Sequence, residues 1–156
     1  MSREGDLLRK SLRKYLLPEL KKFGFIGRTS SFQRTDSEFL DLLSIQYWKY
    51  GGEFILEFAR QGRGDLLTSW GVLVPEAKLD VAYVSPLNRA RLIRGPKASG
   101  FGGFRFGRFG EDTESYDQLA LHVASLLPQV DAWLTCGEIG ENIAAFNRHF
   151  VSGDET

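Results

Sequence analysis

The chain has 156 residues, of which 42% are hydrophobic and 13% aromatic, and its 20 basic and 20 acidic residues cancel. That length fits one domain, the apolar content excludes global disorder, and a single cysteine, Cys136, excludes an intrachain disulfide. No apolar run approaches the roughly 18–20 residues of a membrane span, the start MSREGD has no continuous apolar signal core, and a cytoplasmic location is expected.

Residues 4–23 read as an amphipathic helix. Leu8, Leu12, Tyr15, Leu16, Leu20 and Phe23 fall on one face of a 3.6-residue period, with Arg9, Lys10, Arg13, Lys14, Lys21 and Lys22 on the other. Pro18 should kink it, and Gly24 should stop it. Residues 25–34 then predict a strand anchored by Phe32. In residues 39–47, Phe39, Leu43, Ile45 and Tyr47 share one face, with Asp41 as the exception. After Gly51-Gly52, Phe54, Leu56 and Phe58 alternate against Glu53, Ile55 and Glu57. Two alternating runs around a Gly-Gly pair predict an antiparallel hairpin, and with the preceding strand a three-stranded meander.

Residues 61–80 read as a long connection punctuated by Gly62, Gly64, Gly71 and Pro75. Residues 81–84 and 89–93 predict further strands on either side of Ser85-Pro86, and another strand could run through Phe104, Phe106 and Arg108. From 115 to 136 the helical period returns through Leu119, Val123, Leu126, Leu127, Val130, Trp133 and Leu134, bent at Pro128 and ended by Gly137. Glu111, Asp112, Glu114 and Asp117 complement the dipole at its N-terminus. Ile139, Ile143, Phe146 and Phe150 mark one more short helix. This order gives an α+β fold: an antiparallel sheet of about four to six strands, with an N-terminal helix and C-terminal helices packed on it. Residues 1–151 form the single domain, and 152–156 a frayed tail.

Charge is unevenly spread. Residues 1–34 hold nine basic and three acidic side chains, 81–110 hold six and none, and 111–156 hold one and nine. Within the second of these, residues 95–110 read GPKASGFGGFRFGRFG. The glycine spacing from Gly95 to Gly100 matches a phosphate loop, but Phe101 and Gly102 stand where Lys and Ser/Thr would reach phosphate and metal. A dinucleotide fingerprint fails at Arg105, where its third glycine belongs. His122 and His149 lie in the C-terminal helical region, and Cys136 reads as a buried structural thiol at a helix end. With Cys136 they are too few for a zinc site. Glu53 and Glu57, roughly 13 Å apart by strand rise, and Asp36, Glu38 and Asp41 read as solvated carboxylates. Arg63-Gly64-Asp65 reads as a coincidental adhesion tripeptide. No catalytic residue, cofactor or metal is expected.

The junction Leu17-Pro18-Glu19-Leu20-Lys21-Lys22-Phe23-Gly24-Phe25, Phe32 and Arg34, the hairpin 43–58 with Gln46, the run Arg89-Ala90-Arg91-Leu92 and a last long helix ending near Leu134 together resemble the bacterial family Domain of Unknown Function 4304, over roughly residues 7–136. The Gly/Phe/Arg segment departs from the tryptophan-rich stretch such domains often carry. The resemblance implies an α+β fold and brings no established activity, cofactor or catalytic residue.

These observations lead to a non-enzymatic binding module, immunity-like by analogy, that meets an acidic protein partner through Arg89, Arg91, Lys97, Phe101, Phe104, Arg105, Arg108 and Trp48. One alternative is single-stranded nucleic acid on the same arginines and phenylalanines. The other is an enzyme with an unrecognised site formed by Arg89, Arg91 and a carboxylate such as Glu57. No membrane partner is expected.

Overall fold

The computed structural model describes residues 2–98 and 100–145. The expected tail 152–156, along with Phe146, His149 and Phe150, lies outside them. The first helical stretch runs as α1 (Arg3–Ser11), a π turn (Leu12–Leu16) and α2 (Leu17–Lys22). Ser2 caps it by accepting from the Gly5 amide at 3.1 Å. Leu8, Leu12, Leu16 and Leu20 are all buried. A stride of four drifts around a 3.6-residue helix, and the wider π turn offsets that drift while absorbing Pro18, which brings no backbone donor.

Among the described residues the main sheet has seven strands: β1 (Ile26–Arg28), β2 (Ser31–Thr35), β3 (Phe39–Tyr47), β4 (Glu53–Gly62), β7 (Ala90–Leu92), β8 (Phe104–Arg105) and β9 (Ile143–Ala145). They run β1-β2-β3-β4-β7-β9, with β8 also on β4, and every pairing is antiparallel. The expected strand at 25–34 is thus two, split by a turn in which Thr29 adopts φ 66°. The segment expected to close with a short helix instead adds β9 at the sheet edge.

The helices α3 (Thr113–Ser125) and α4 (Leu127–Cys136), broken at Pro128, join α1 and α2 on one sheet face. Gly137 closes α4 in the left-handed conformation, φ 73°. The main core forms between them from Phe32, Leu43, Ile45, Phe54, Leu56 and Phe58 of the sheet and Tyr116, Val123, Val130 and Trp133 of the helices. Trp133 meets Phe58 edge to face at 5.6 Å.

Asp41 points into this helix-side core and is 2% exposed, which corrects the solvated reading. Arg60 grips it through Nε at 2.7 Å and Nη2 at 3.0 Å, and Arg34 Nε donates to it at 2.9 Å. The hydrogen bonds to Asp41 push the Arg60 guanidinium above its ordinary value. Arg34 Nη1 continues to Asp131 on α4 at 2.8 Å and to the Phe23 carbonyl at 3.0 Å. Two arginines thus meet two carboxylates across β2, β3, β4 and α4. The resulting balance allows burial that an unpaired charge could not sustain.

The opposite sheet face carries a second, smaller apolar cluster. Residues 63–88 fold over Leu40, Leu42 and Ala59 with Val74, Leu79, Val81 and Val84. This excursion contains a hairpin of β5 (Leu66–Leu67) and β6 (Leu73–Val74) and three short 3₁₀ turns. The strand expected at 81–84 is one of these turns, because Asp80 caps it by accepting from the Ala82 amide at 2.9 Å. Glu76 anchors the excursion: Arg63 donates to it at 2.8 and 2.9 Å and the Gly64 amide at 2.7 Å. These bonds hold its carboxyl down to about 2. Asp65 in turn accepts from the Glu76 amide at 2.8 Å, so Arg63 and Asp65 are both occupied internally. Among the described residues no helix is long and apolar enough to cross a membrane.

Candidate functional site

Beyond this excursion, the second sheet face carries two clusters of the sequence-selected residues. Their floor follows from strand parity. On β4, Glu53, Ile55 and Glu57 point away from the helices, and Glu57 pairs in register with Ser44 of β3 and Arg91 of β7. Glu57 is buried, which corrects its reading as a solvated carboxylate. Arg91 Nε donates to its Oε2 at 3.2 Å, and Arg89 Nη1 stands 3.6 Å from its Oε1.

The two arginines differ in what they leave free. Arg89 is spent: its Nε donates to the Val84 carbonyl at 2.7 Å and its Nη2 to the Ala82 carbonyl at 3.2 Å. The Arg91 side chain is 48% exposed, and among the described residues nothing accepts from its terminal nitrogens. Glu57, Arg89 and Arg91 line a cleft of about 300 Å³ with Pro86, Ala144 and Ala145. Arg89, Arg91 and Glu57, singled out together in the sequence, therefore share one cavity.

Further along β4 lies a second cluster, built where the neighbouring strand is interrupted. β7 pairs with Leu56 to Phe58 and β8 with Glu53 and Phe54, so both follow the same edge of β4 in the same direction. Only Ile55 separates their partners on β4, whereas residues 93–103 separate the strands themselves. The Gly/Phe/Arg segment is thus a loop thrown out between two short strands, β7 and β8, that line one edge of β4. Glu53 fastens its return by accepting from the Gly103 amide at 3.0 Å, and Arg94 donates to the Gly103 carbonyl at 2.8 Å. A Cβ at Gly103 would lie 2.9 Å from Glu53 Cβ, so glycine is required for this approach. Arg94 and Arg105 also pair with Glu53, at 3.5 and 3.8 Å.

The loop lays Phe101 parallel to Trp48, ring centroids 6.2 Å apart and planes 14° apart. Tyr50 meets Trp48 edge to face at 5.2 Å and is 72% exposed, with Lys49 Nζ 5.0 Å from its ring. Trp48 is half-buried and sits on the face away from the helices, not beneath one. Lys97 and Arg108 have no ion-pair partner among the described residues.

One selected position, Phe104, and the reading of Cys136 as a buried thiol need correction. Phe104 is buried and packs on Phe54 at 5.5 Å, so it cannot meet a partner; Phe106 is buried beside it. Cys136 is exposed, because Trp133 and Leu134 take the last inward positions of α4. His122 flanks Phe104 edge to face at 6.2 Å. The outer side of the β5–β6 hairpin exposes Leu67, Val72 and Leu73, which the sequence reading did not single out, beside Trp70. The signal is a run of large apolar residues in a short segment that reads as a connection. Among the described residues no group of three or more His, Cys, Asp or Glu could hold a metal ion. No protein-family profile, curated protein or solved structure matches the chain.

Proposed function

We propose that the protein is a binding module whose aromatic corner docks an acidic surface of another protein. The carrying observation is the Trp48–Phe101 stack with Tyr50 exposed beside it, Lys49 over the Tyr50 ring, and Lys97 on the same loop as Phe101. The local acid, Glu53, is already occupied by Arg94, Arg105 and the Gly103 amide, so the outward charge is positive. Aromatic anchors framed by cations suit a desolvated contact with carboxylates at its rim. Small α+β modules of this kind include immunity proteins that neutralise secreted bacterial toxins, so such a toxin is the first partner to test.

A nucleic-acid role would use the same rings and cations. It is disfavoured by charge: Arg89, Arg91, Arg94 and Arg105 face internal carboxylates, leaving few cations to follow a phosphate backbone. Enzymatic use of Glu57 as a proton acceptor would first have to break its arginine pairs, since both oxygens face guanidinium groups.

A photo-crosslinking amino acid at Tyr50, and separately at exposed Leu121 on α3, tests the reading in cells that make the protein. The expected result is a discrete protein adduct from position 50 only, lost at high salt. A nuclease-sensitive adduct would transfer the corner to nucleic acid, and equal adducts from both positions would remove it as a docking site.

A further inference from the structure

We infer that the Glu57 cleft is a binding site for a small monocarboxylate, with Arg91 as its primary ligand. The molecule contains the same device twice. On the helix side, Asp41 is held by Arg34 and Arg60, and a second carboxylate, Asp131, completes the set. On the open side, Glu57 is held by Arg89 and Arg91, and among the described residues no second carboxylate lines the cavity. The first set is neutral. The second carries one excess positive charge, most of it on the half-exposed guanidinium of Arg91.

The free edge of that guanidinium has the shape of a ligand site. With Nε on Glu57, Nη1 and Nη2 remain to donate, and a planar pair of N–H groups matches the two oxygens of a carboxylate. Glu57 fixes the Arg91 plane in advance, which lowers the ordering cost of binding. One excess charge suits a monoanion better than a dianion. Pro86, Ala144 and Ala145 offer an apolar wall for a short carbon body. Ala144 pairs with Arg91 in register, so its small side chain leaves open the cross-strand position an acid would fill. This site is separate from the aromatic corner, which lies roughly 13 Å away along β4 by strand rise.

The carboxylate could belong to a free metabolite or to a peptide C-terminus. Nuclear magnetic resonance of the whole protein separates these, following the Arg91 Nε–H and the Ala144 and Ala145 amides. The probes are propionate and N-acetyl-alanyl-alanine, with propionamide and the peptide amide as neutral controls, all at matched ionic strength. Saturable shifts from either acid and none from the amides are expected; the tighter acid identifies the source. Arg91→Gln should weaken binding about tenfold to hundredfold, Arg91→Lys should restore only part of it, and Lys21→Gln, at an exposed position on α2, should change nothing. Shifts that never saturate, equal shifts from the amides, or tighter binding of inorganic phosphate would overturn the assignment. A folded Arg91→Gln variant that binds propionate like the parent would do so too.

Discussion

The two buried carboxylates of this sheet, Asp41 and Glu57, stand on opposite faces with nearly identical immediate surroundings. Each is gripped by two arginines, but Asp41 lies under α4, whose Asp131 neutralises the set, whereas Glu57 lies under a cleft edged by two alanines. The difference teaches how one device serves two ends. A complete set of charges is structural, and its worth is that every member is paired. A set one carboxylate short keeps a cation presented and oriented, which is what recognition of an anion requires.

The contrast can be broken most severely at Asp41. Asp41→Ala leaves the mostly buried Arg60 without its carboxylate and Arg34 with Asp131 alone, and should cost about 3–5 kcal/mol in urea unfolding. Glu57→Gln should cost less, about 1–2 kcal/mol, because Arg91 can turn to solvent; equal losses at the two positions would abolish the distinction. Asp131→Asn removes one charge-assisted bond on a partly exposed carboxylate and should cost about 1 kcal/mol. Completing the open set is the converse. Ala144→Glu, opposite Arg91, should stabilise by about 0.2–1 kcal/mol.

A smaller effect concerns the excursion over the rest of the open face. Glu76 has its carboxyl lowered to about 2 from an ordinary 4.5, by Arg63 first and the Gly64 amide next. A lowered folded value means that its contribution is complete above the unfolded value and fades as pH falls toward about 2. The carboxyl resonance of Glu76 should therefore titrate near 2, with the Gly64 amide shift following it. A midpoint near 4.5 would show that the anchor does not hold.

Much of this architecture is legible in local pattern. The period-two runs around Gly51-Gly52 locate β3 and β4, and the leucine stripe locates the first helix, because each depends on neighbours in sequence. Asp41 was also visible, as the polar exception on an apolar parity; its burial needed Arg34 and Arg60 at matching positions on both flanking strands. Arg89, Arg91 and Glu57 could be named together, yet the register that joins them is a non-local pairing between β4 and β7. Residues 95–110 show the limit most clearly. Phe101, Phe104 and Phe106 look alike in sequence, but the first lies on the loop between β7 and β8 and stacks on Trp48, while the others return to the core. Nothing local marks where the strand resumes. At 81–84, apolar content predicted a strand, and the Asp80 cap turned the chain instead.

The claim that the Glu57 set lacks one carboxylate is tested most directly by urea unfolding of the parent and Ala144→Glu proteins, each with and without propionate. A ligand that binds only the folded state raises the midpoint by mass action. The account predicts that propionate raises the midpoint of the parent, that Ala144→Glu raises it without ligand, and that propionate then adds nothing. A destabilised Ala144→Glu variant, or the same propionate effect on both proteins, would contradict it.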